Sequence, residues 1–403
     1  MKYLSLLVVA VLAFGSAGSD AATFISNSHN KAASIPEKYI VVLKDSKAVN
    51  SFDAKFNQLS RRIQNGRSRS GKPFKAPKIN RRFQSIPGYT IEGDRDTLDE
   101  LLKLDDVDYI EQDSIVSIVG TQQSPPSWGL PRVSQRGRVG RGTSYKYANS
   151  AGAGVTAYVV DTGINTGHVD FGGRAKMGNN FIQGSPNTDE NGHGTHVAGT
   201  IGGASYGVAK KVTLVGVKVL NRQGSGSTSG IVAALDWIVS VNKGKRAVVN
   251  MSLGGGSSRA LNDAVARLYR ANIPVIVAAG NDENVNACSG SPSGAPLALA
   301  VGASDINDNI ASFSSFGKCV KIFGPGVQIT SAWIGSNNAR NTISGTSMAT
   351  PHVVGVAALY IGAGKANNAA QVYTTLQSTA TKNAVKGRLR GEANLLVFNG
   401  GGN

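Results

Sequence analysis

Three short stretches hold residue types that together can do nucleophilic chemistry. Ser344-Gly345-Thr346-Ser347-Met348-Ala349-Thr350-Pro351-His352 places a serine in a small-residue turn, just ahead of an apolar run of helical character from Val353 to Tyr360. A serine hydroxyl is a weak nucleophile until a base takes its proton. Asn191-Gly192-His193-Gly194-Thr195-His196-Val197-Ala198-Gly199-Thr200 supplies such a base in His193. The β-rich run Val155-Thr156-Ala157-Tyr158-Val159-Val160-Asp161-Thr162-Gly163 ends near a carboxylate, Asp161. The roles follow from the groups. Ser347 would attack a carbonyl carbon, and His193 would serve as general base and then as general acid. Asp161 would hold the imidazole tautomer and stabilise its positive charge. Asn281, in Ala278-Ala279-Gly280-Asn281-Asp282, follows another strand-like run. Its amide could face the developing negative charge beside the backbone N–H of Ser347.

Each residue also has a plainer reading. Ser347 could cap a helix, Asp161 could close a loop with Thr162 and Gly163, and Asn281 could be a left-handed turn residue. The co-occurrence of the stretches in one chain outweighs these readings. His196 stands three positions after His193, a spacing that could hold a metal. No third histidine lies nearby, so His196 is expected to be structural, as are His168 and His352. His29 falls in a region expected to be removed.

The surrounding pattern supplies elements to position these groups. Short valine-rich or otherwise apolar runs at 155–160, 212–219, 247–251, 274–279 and 297–301 predict strands. They alternate with helical segments at 194–202, 230–241, 259–271 and 347–361. Nearly continuous apolar strands between helices predict a mostly parallel sheet covered on both faces, an α/β fold. Sites in such sheets lie at the carboxyl ends of strands. Asp161 ends its strand, while His193 and Ser347 each open a helix, so all three can meet at one rim.

The chain has 403 residues, 41% of them hydrophobic and 17% charged, which suits a large buried core rather than a disordered protein. Lys2, the apolar run from Leu4 to Phe14 and the small residues that follow predict a secretory leader cleaved between Ala17 and Ala22, with residues 1–20 as the signal. That run is too short to span a membrane. Cys288 and Cys319 are the only cysteines. In an oxidising compartment they could form one bridge worth about 3 to 4 kcal/mol, or they could be two buried thiols. Net charge is +17, of which +14 falls from Thr121 onward. That balance implies adhesion to anionic surfaces at low salt, or simply solubility at the working pH. Asn250-Met251-Ser252 is formally a glycosylation acceptor, but it sits in an expected core strand.

Ahead of the chemistry, Tyr39–Leu43 and Tyr89–Ile91 predict strands, and a strand is expected across residues 107–119. Ser51–Ile63 predicts a helix with Phe52, Phe56, Leu59 and Ile63 on one face. A second helix is expected from Thr97 to Leu104, with Thr97 as its cap and Glu100 three places on. The basic residues between the halves (Arg61, Arg62, Arg67, Arg69, Lys72, Lys75, Lys78, Arg81, Arg82) read as a solvated, mobile insertion. A nucleic-acid patch would want interleaved aromatics beyond Phe74 and Phe83. Residues 120–128 have a linker composition.

The order Asp, His, Ser and the flanking stretches resemble the subtilisin-like serine proteases, most closely the proteinase K branch, over about residues 35 to 400. The resemblance implies a secreted endopeptidase acting on protein substrates through an acyl-enzyme. It implies an inhibitory α+β propeptide over residues 21–120, which acts as intramolecular inhibitor and folding aid, and a peptidase domain over 121–403. Self-cleavage is expected near Thr121, with Trp128-Gly129-Leu130 as the first anchored residues. Gly224-Ser225-Gly226 and Ser252-Leu253-Gly254-Gly255 resemble the edge strands that pair with an extended substrate. Ala278, Ala279 and Gly280 would line S1 beside Leu253 and Gly254. No charge is evident there, which implies apolar or aromatic P1 residues. Thr228 stands where an aromatic wall of S4 is expected. The cysteines depart from the proteinase K placement and resemble the pairing of some thermophilic bacterial relatives. No cofactor is needed for the chemistry. Structural calcium is a family habit, but Lys321 stands where one aspartate ligand would be, and no other site can be located. A monomer is expected, without nucleic-acid or membrane partners. An inactive binding protein on this fold would not need all four groups. An esterase would want Gly-x-Ser-x-Gly and the order Ser, Asp, His, and the chain has neither.

Overall fold

The computed structural model describes residues 22–25, 34–64, 76–83, 87–114, 119–140 and 142–401. The expected leader, Arg67, Arg69, Lys72 and Lys75 lie outside the described residues. The chain divides into two compact units, Met1–Val116 and Ser117–Asn403.

In the first unit β1 (Thr23–Ile25), β2 (Ser34–Leu43), α1 (Ala48–Gln64), β3 (Lys78–Arg82), β4 (Gly88–Glu92), α2 (Arg95–Leu101) and β5 (Val107–Ser114) follow in order. They build a sheet ordered β1-β5-β2-β4-β3. Phe52, Phe56, Leu59 and Ile63 of α1 are all buried, together with Val41, Ile91, Leu98 and Ile110. The apolar stripe of the helix therefore covers one sheet face. Two expectations need correction. The cap of α2 is Asp94, whose carboxylate accepts from the backbone N–H and the hydroxyl of Thr97, both at 2.8 Å, and the helix ends at Leu101. The basic run is not all insertion either: Arg61 and Arg62 finish α1, while Lys78, Arg81 and Arg82 belong to β3. Its largely exposed side chains suit a sheet edge, where charge discourages further pairing.

The second unit begins with β6 (Val119–Gln122), α3 (Gly129–Ser134), β7 (Tyr145–Ala148), β8 (Thr156–Asp161), β9 (Ala175–Asn180), α4 (His193–Gly202), β10 (Thr213–Lys218), α5 (Thr228–Asn242), β11 (Ala247–Met251) and β12 (Gly255–Gly256). It continues with α6 (Arg259–Arg270), β13 (Val275–Ala278), β14 (Gly290–Ser291), β15 (Leu299–Ser304), β16 (Val320–Pro325), β17 (Ile329–Ala332), β18 (Arg340–Ile343), α7 (Thr346–Gly362), α8 (Ala369–Thr379), β19 (Thr381–Lys382) and β20 (Leu395–Leu396). The main sheet is ordered β19-β20-β16-β15-β13-β11-β8-β10-β9. Every neighbouring pair is parallel except β19 with β20.

Alternate residues of β8 feed two cores. Ala157 and Val159 pack with α4 and α7 on one face, and Tyr158 and Val160 pack with α5 and α6 on the other. Burying a valine such as Val159 completely contributes about 1.5 to 3 kcal/mol. The α7 helix is apolar around nearly its whole circumference and is buried from Met348 to Ile361, so it is a central element. The segment expected to be a linker is ordered at its start: β6 pairs antiparallel with β7, and the Gln122 side chain donates to the Ser205 carbonyl at 3.1 Å. Anchoring thus begins before Trp128, whose indole N–H donates to the Val327 carbonyl at 2.9 Å.

Candidate active site

Asp161 is the last residue of β8, between β10 and β11, and is fully buried. One carboxylate oxygen accepts from the Thr162 backbone N–H at 2.7 Å and from Nδ1 of His193 at 2.8 Å. Because Nδ1 carries the hydrogen, Nε2 of a neutral ring holds the lone pair. His193 opens α4, and its side chain keeps 25% exposure. This close approach of α4 to the turn after β8 requires glycine. A Cβ on Gly194 would lie 2.1 Å from the Gly163 carbonyl oxygen. Burial alone would lower the His193 pKa. The Asp161 charge, its hydrogen bond and the Asp189 charge together outweigh burial and raise it.

Ser347 lies in the first turn of α7. Pro351, four residues on, has no N–H to give to the Ser347 carbonyl. That carbonyl instead accepts from the Ser252 hydroxyl at 2.8 Å. The Ser347 hydroxyl in turn donates to the Ser252 carbonyl at 3.2 Å. Ser252 is thus a double brace between the segment after β11 and the start of α7. The structure does not bring the Ser347 hydroxyl into a hydrogen bond with His193. Asn281 follows Gly280, whose φ of +113° turns the chain out of β13. The Asn281 side-chain oxygen accepts from the backbone N–H and hydroxyl of Thr346, at 2.8 and 2.7 Å. Fixing the oxygen in this way fixes the amide, and its NH₂ is left to donate elsewhere.

Two cavities meet along Leu253, Gly254 and Gly255. The larger, about 430 Å³, is lined by His193, Gly224, Ser225, Gly226, Thr228 and Ser252, with Leu220, Ile231 and Leu261 adding apolar surface. The smaller, about 280 Å³, is lined by Ala278, Ala279, Gly280, Asn281, Thr346 and Ser347. Here one expectation fails. The wall of the smaller cavity carries a charge, Asp282, because the loop after β13 folds back over it. Gly224, expected in an edge strand, closes a turn at φ +77°, with the Asn221 N–H donating to the Ser225 carbonyl at 2.9 Å. Ser225 to Ser227 and Ser252 to Gly254 have no strand partner among the described residues.

The other histidines hold backbone carbonyls. His168, His196 and His352 donate to Ala339, Ile329 and Met348, at 2.8, 2.9 and 2.9 Å. Burial pushes the His196 and His352 pKa values down to about 4. Among the described residues no three His, Cys, Asp or Glu side chains gather to hold a metal. At the position expected to supply a calcium ligand, the Lys321 ammonium donates to the Lys318 carbonyl at 2.8 Å, so the residues there do not fit the ion. Cys288 and Cys319 are joined, with their Cα atoms 5.3 Å apart. The bridge ties the loop carrying Asn286 and Ala287, which line the smaller cavity, to the start of β16. Asn250 is fully buried in β11 and donates to the Ser252 hydroxyl at 3.0 Å, which removes it as an acceptor for sugar in the folded chain.

Comparisons with known proteins agree with this geometry. Residues 152–394 match the subtilase family, and residues 38–119 match peptidase inhibitor I9. Subtilisin-like protease 4 of Trichophyton rubrum is 43% identical over the whole of both chains. Subtilisin-like protease 2 of Pseudogymnoascus destructans is 48% identical over 78% of each. A crystal structure of a cold adapted subtilisin-like serine proteinase has 47% identity and a TM-score of 0.63, covering 67% of this chain and 97% of its own. The chain therefore belongs to the subtilase family and is a serine endopeptidase with an inhibitor I9 region ahead of its peptidase region.

Proposed function

We propose that Asp161, His193 and Ser347 form the catalytic triad of a secreted, self-processed peptidase, with Asn281 as an oxyanion donor. The observation that carries this reading is the 2.8 Å bond from His193 to buried Asp161, beside a cleft that also reaches Ser347 and Asn281. Rotation of the Ser347 hydroxyl from the Ser252 carbonyl toward Nε2 would start the reaction. His193 takes the proton as the oxygen adds to the peptide carbonyl. The Asn281 amide and the Ser347 backbone N–H bind the resulting oxyanion. Collapse breaks the C–N bond, and the imidazolium protonates the leaving amine. Water then repeats the sequence on the acyl-enzyme, with His193 again taking and returning the proton.

The unpaired segments Ser225–Ser227 and Ser252–Gly254 suit an extended substrate, whose backbone can add to them as a strand. Leu253, Ala278, Ala279 and Gly280 favour apolar or aromatic P1 side chains, with Asp282 at the wall tolerating a cationic one. Residues 1–20 serve as the signal and 21–120 as the inhibitory propeptide, released by cleavage near Thr121 to leave 121–403. Ser347→Ala tests the core of the proposal. The secreted chain should remain at precursor mass with no peptidase activity, and normal maturation and turnover would refute the assignment.

A further inference from the structure

The N-terminus of α4 has an unusual support. Its cap residue, Gly192, has no side chain to satisfy the first N–H groups of the helix. A carboxylate just upstream does so instead. One oxygen of Asp189 accepts from the backbone N–H of Asn191 at 3.0 Å, from that of Gly192 at 2.9 Å and from the Thr162 hydroxyl at 2.8 Å. The other accepts from the Thr195 N–H at 2.9 Å and the Thr195 hydroxyl at 2.6 Å. Thr162 Oγ1 also accepts from the Gly194 N–H at 2.9 Å. Asp189 is only 6% exposed, so these bonds form largely out of water, where they are strongest. Thr162 directly follows Asp161, while Gly192 and Gly194 flank His193.

We propose that Asp189 is a positioning residue for the reaction: its buried carboxylate clamps the turn after Asp161 to the helix end carrying His193, and so fixes the bond between those two side chains. This rests on the triad proposed above. A second brace acts on the same turn. Buried Lys218, opposite Asp161 in the β8–β10 register, donates to the Thr162 carbonyl at 2.7 Å and lies 3.6 Å from Glu190.

The clamp also has an electrostatic consequence. The charged and titratable groups around His193 are Asp161 from β8, Asp189 and Glu190 from the segment before α4, His196 from α4 itself and Lys218 from β10. Of these, the Asp161 charge and then the Asp189 charge raise the His193 pKa against the effect of burial. Losing the Asp189 charge should therefore lower it.

Two variants separate position from charge. Asp189→Asn removes charge and mismatches the donors around it. Thr162→Val cuts the link to the turn but keeps the charge. Each should be assayed as the mature enzyme on a peptide amide, with active centres counted by a serine-directed phosphonate. In Asp189→Asn, kcat should fall by about 10- to 100-fold, the loss expected from a misplaced catalytic group, with little change in KM. The acid limb of kcat/KM should move to lower pH. In Thr162→Val, kcat should fall less and the limb should stay in place. Full kcat and an unmoved limb in Asp189→Asn would overturn the proposal, as would a loss confined to KM. Should Asp189→Asn not accumulate folded, unchanged kcat in Thr162→Val would overturn it. Phosphonate labelling of Ser347 in the wild-type enzyme checks the triad separately from the clamp.

Discussion

The two flanks of the cleft are built from opposite materials. On the His193 flank, an imidazole is backed by the buried carboxylates of Asp161 and Asp189. On the Ser347 flank, the bracing groups are neutral: the Thr346 hydroxyl and N–H against Asn281, and Ser252 against Ser347. The division suits the chemistry proposed for the cleft. One side must accept a proton and carry positive charge, which anions favour. The other must receive negative charge on the substrate oxygen, which calls for N–H donors and excludes contact with a carboxylate. Asp282, on the wall of the smaller cavity, engages the Asn284 N–H at 2.9 Å rather than the Asn281 amide.

The contrast is broken most severely by removing charge from the His193 flank. Asp161→Asn should lower kcat by about 10⁴-fold, the size known for this change in a trypsin-like triad, because the ring would be held in the wrong tautomer. Steady-state kinetics at neutral pH would check it. On the neutral flank, Asn281→Ala should lower kcat by about 10²- to 10³-fold, the loss established for such a donor in a subtilisin, with KM little changed. A change in KM alone would remove Asn281 from the oxyanion role.

Breaking the brace behind the neutral flank acts on stability instead. Cys288→Ser with Cys319→Ser should cost about 3 to 4 kcal/mol, read from denaturant unfolding with and without reductant. The contrast is sharpened along α4 by pH. His193 has a raised pKa, so activity should fall as pH drops through a value above the ordinary histidine figure of about 6.5. His196 and His352 are neutral when folded, with pKa values lowered to about 4. Unfolding lets them bind protons, so their contribution to stability is complete above about pH 6.5 and declines as pH falls toward about 4. Thermal unfolding followed across that range checks the sign.

The parts legible in the sequence are those whose chemistry is local. Valine-rich runs located β8, β10, β11, β13 and β15 because strands buried on both faces are apolar throughout. The helices α4, α5, α6 and α7 were legible to within a few residues for a similar reason, since each contributes apolar surface to the core. Edge strands were not. The run Ala175–Asn180 is rich in polar residues and glycine, and Lys78–Arg82 is mostly charged, so neither shows the alternation that marks a strand. The supports of the candidate site were also hidden. Ser252 becomes a brace because Pro351 frees a carbonyl far along the chain, and Thr346 becomes an anchor only when α7 reaches the end of β13. Asp282 enters the cavity wall through the path of its loop. None of these pairings leaves a periodic trace.

The most direct test is the reaction of the mature enzyme with a serine-directed phosphonate across a range of pH, with the adduct located by mass spectrometry. A covalent adduct on Ser347, formed at a rate that rises with deprotonation of a single group and collapses in His193→Ala, is the predicted result. An adduct on another residue, or labelling of Ser347 that is indifferent to His193, would contradict the account.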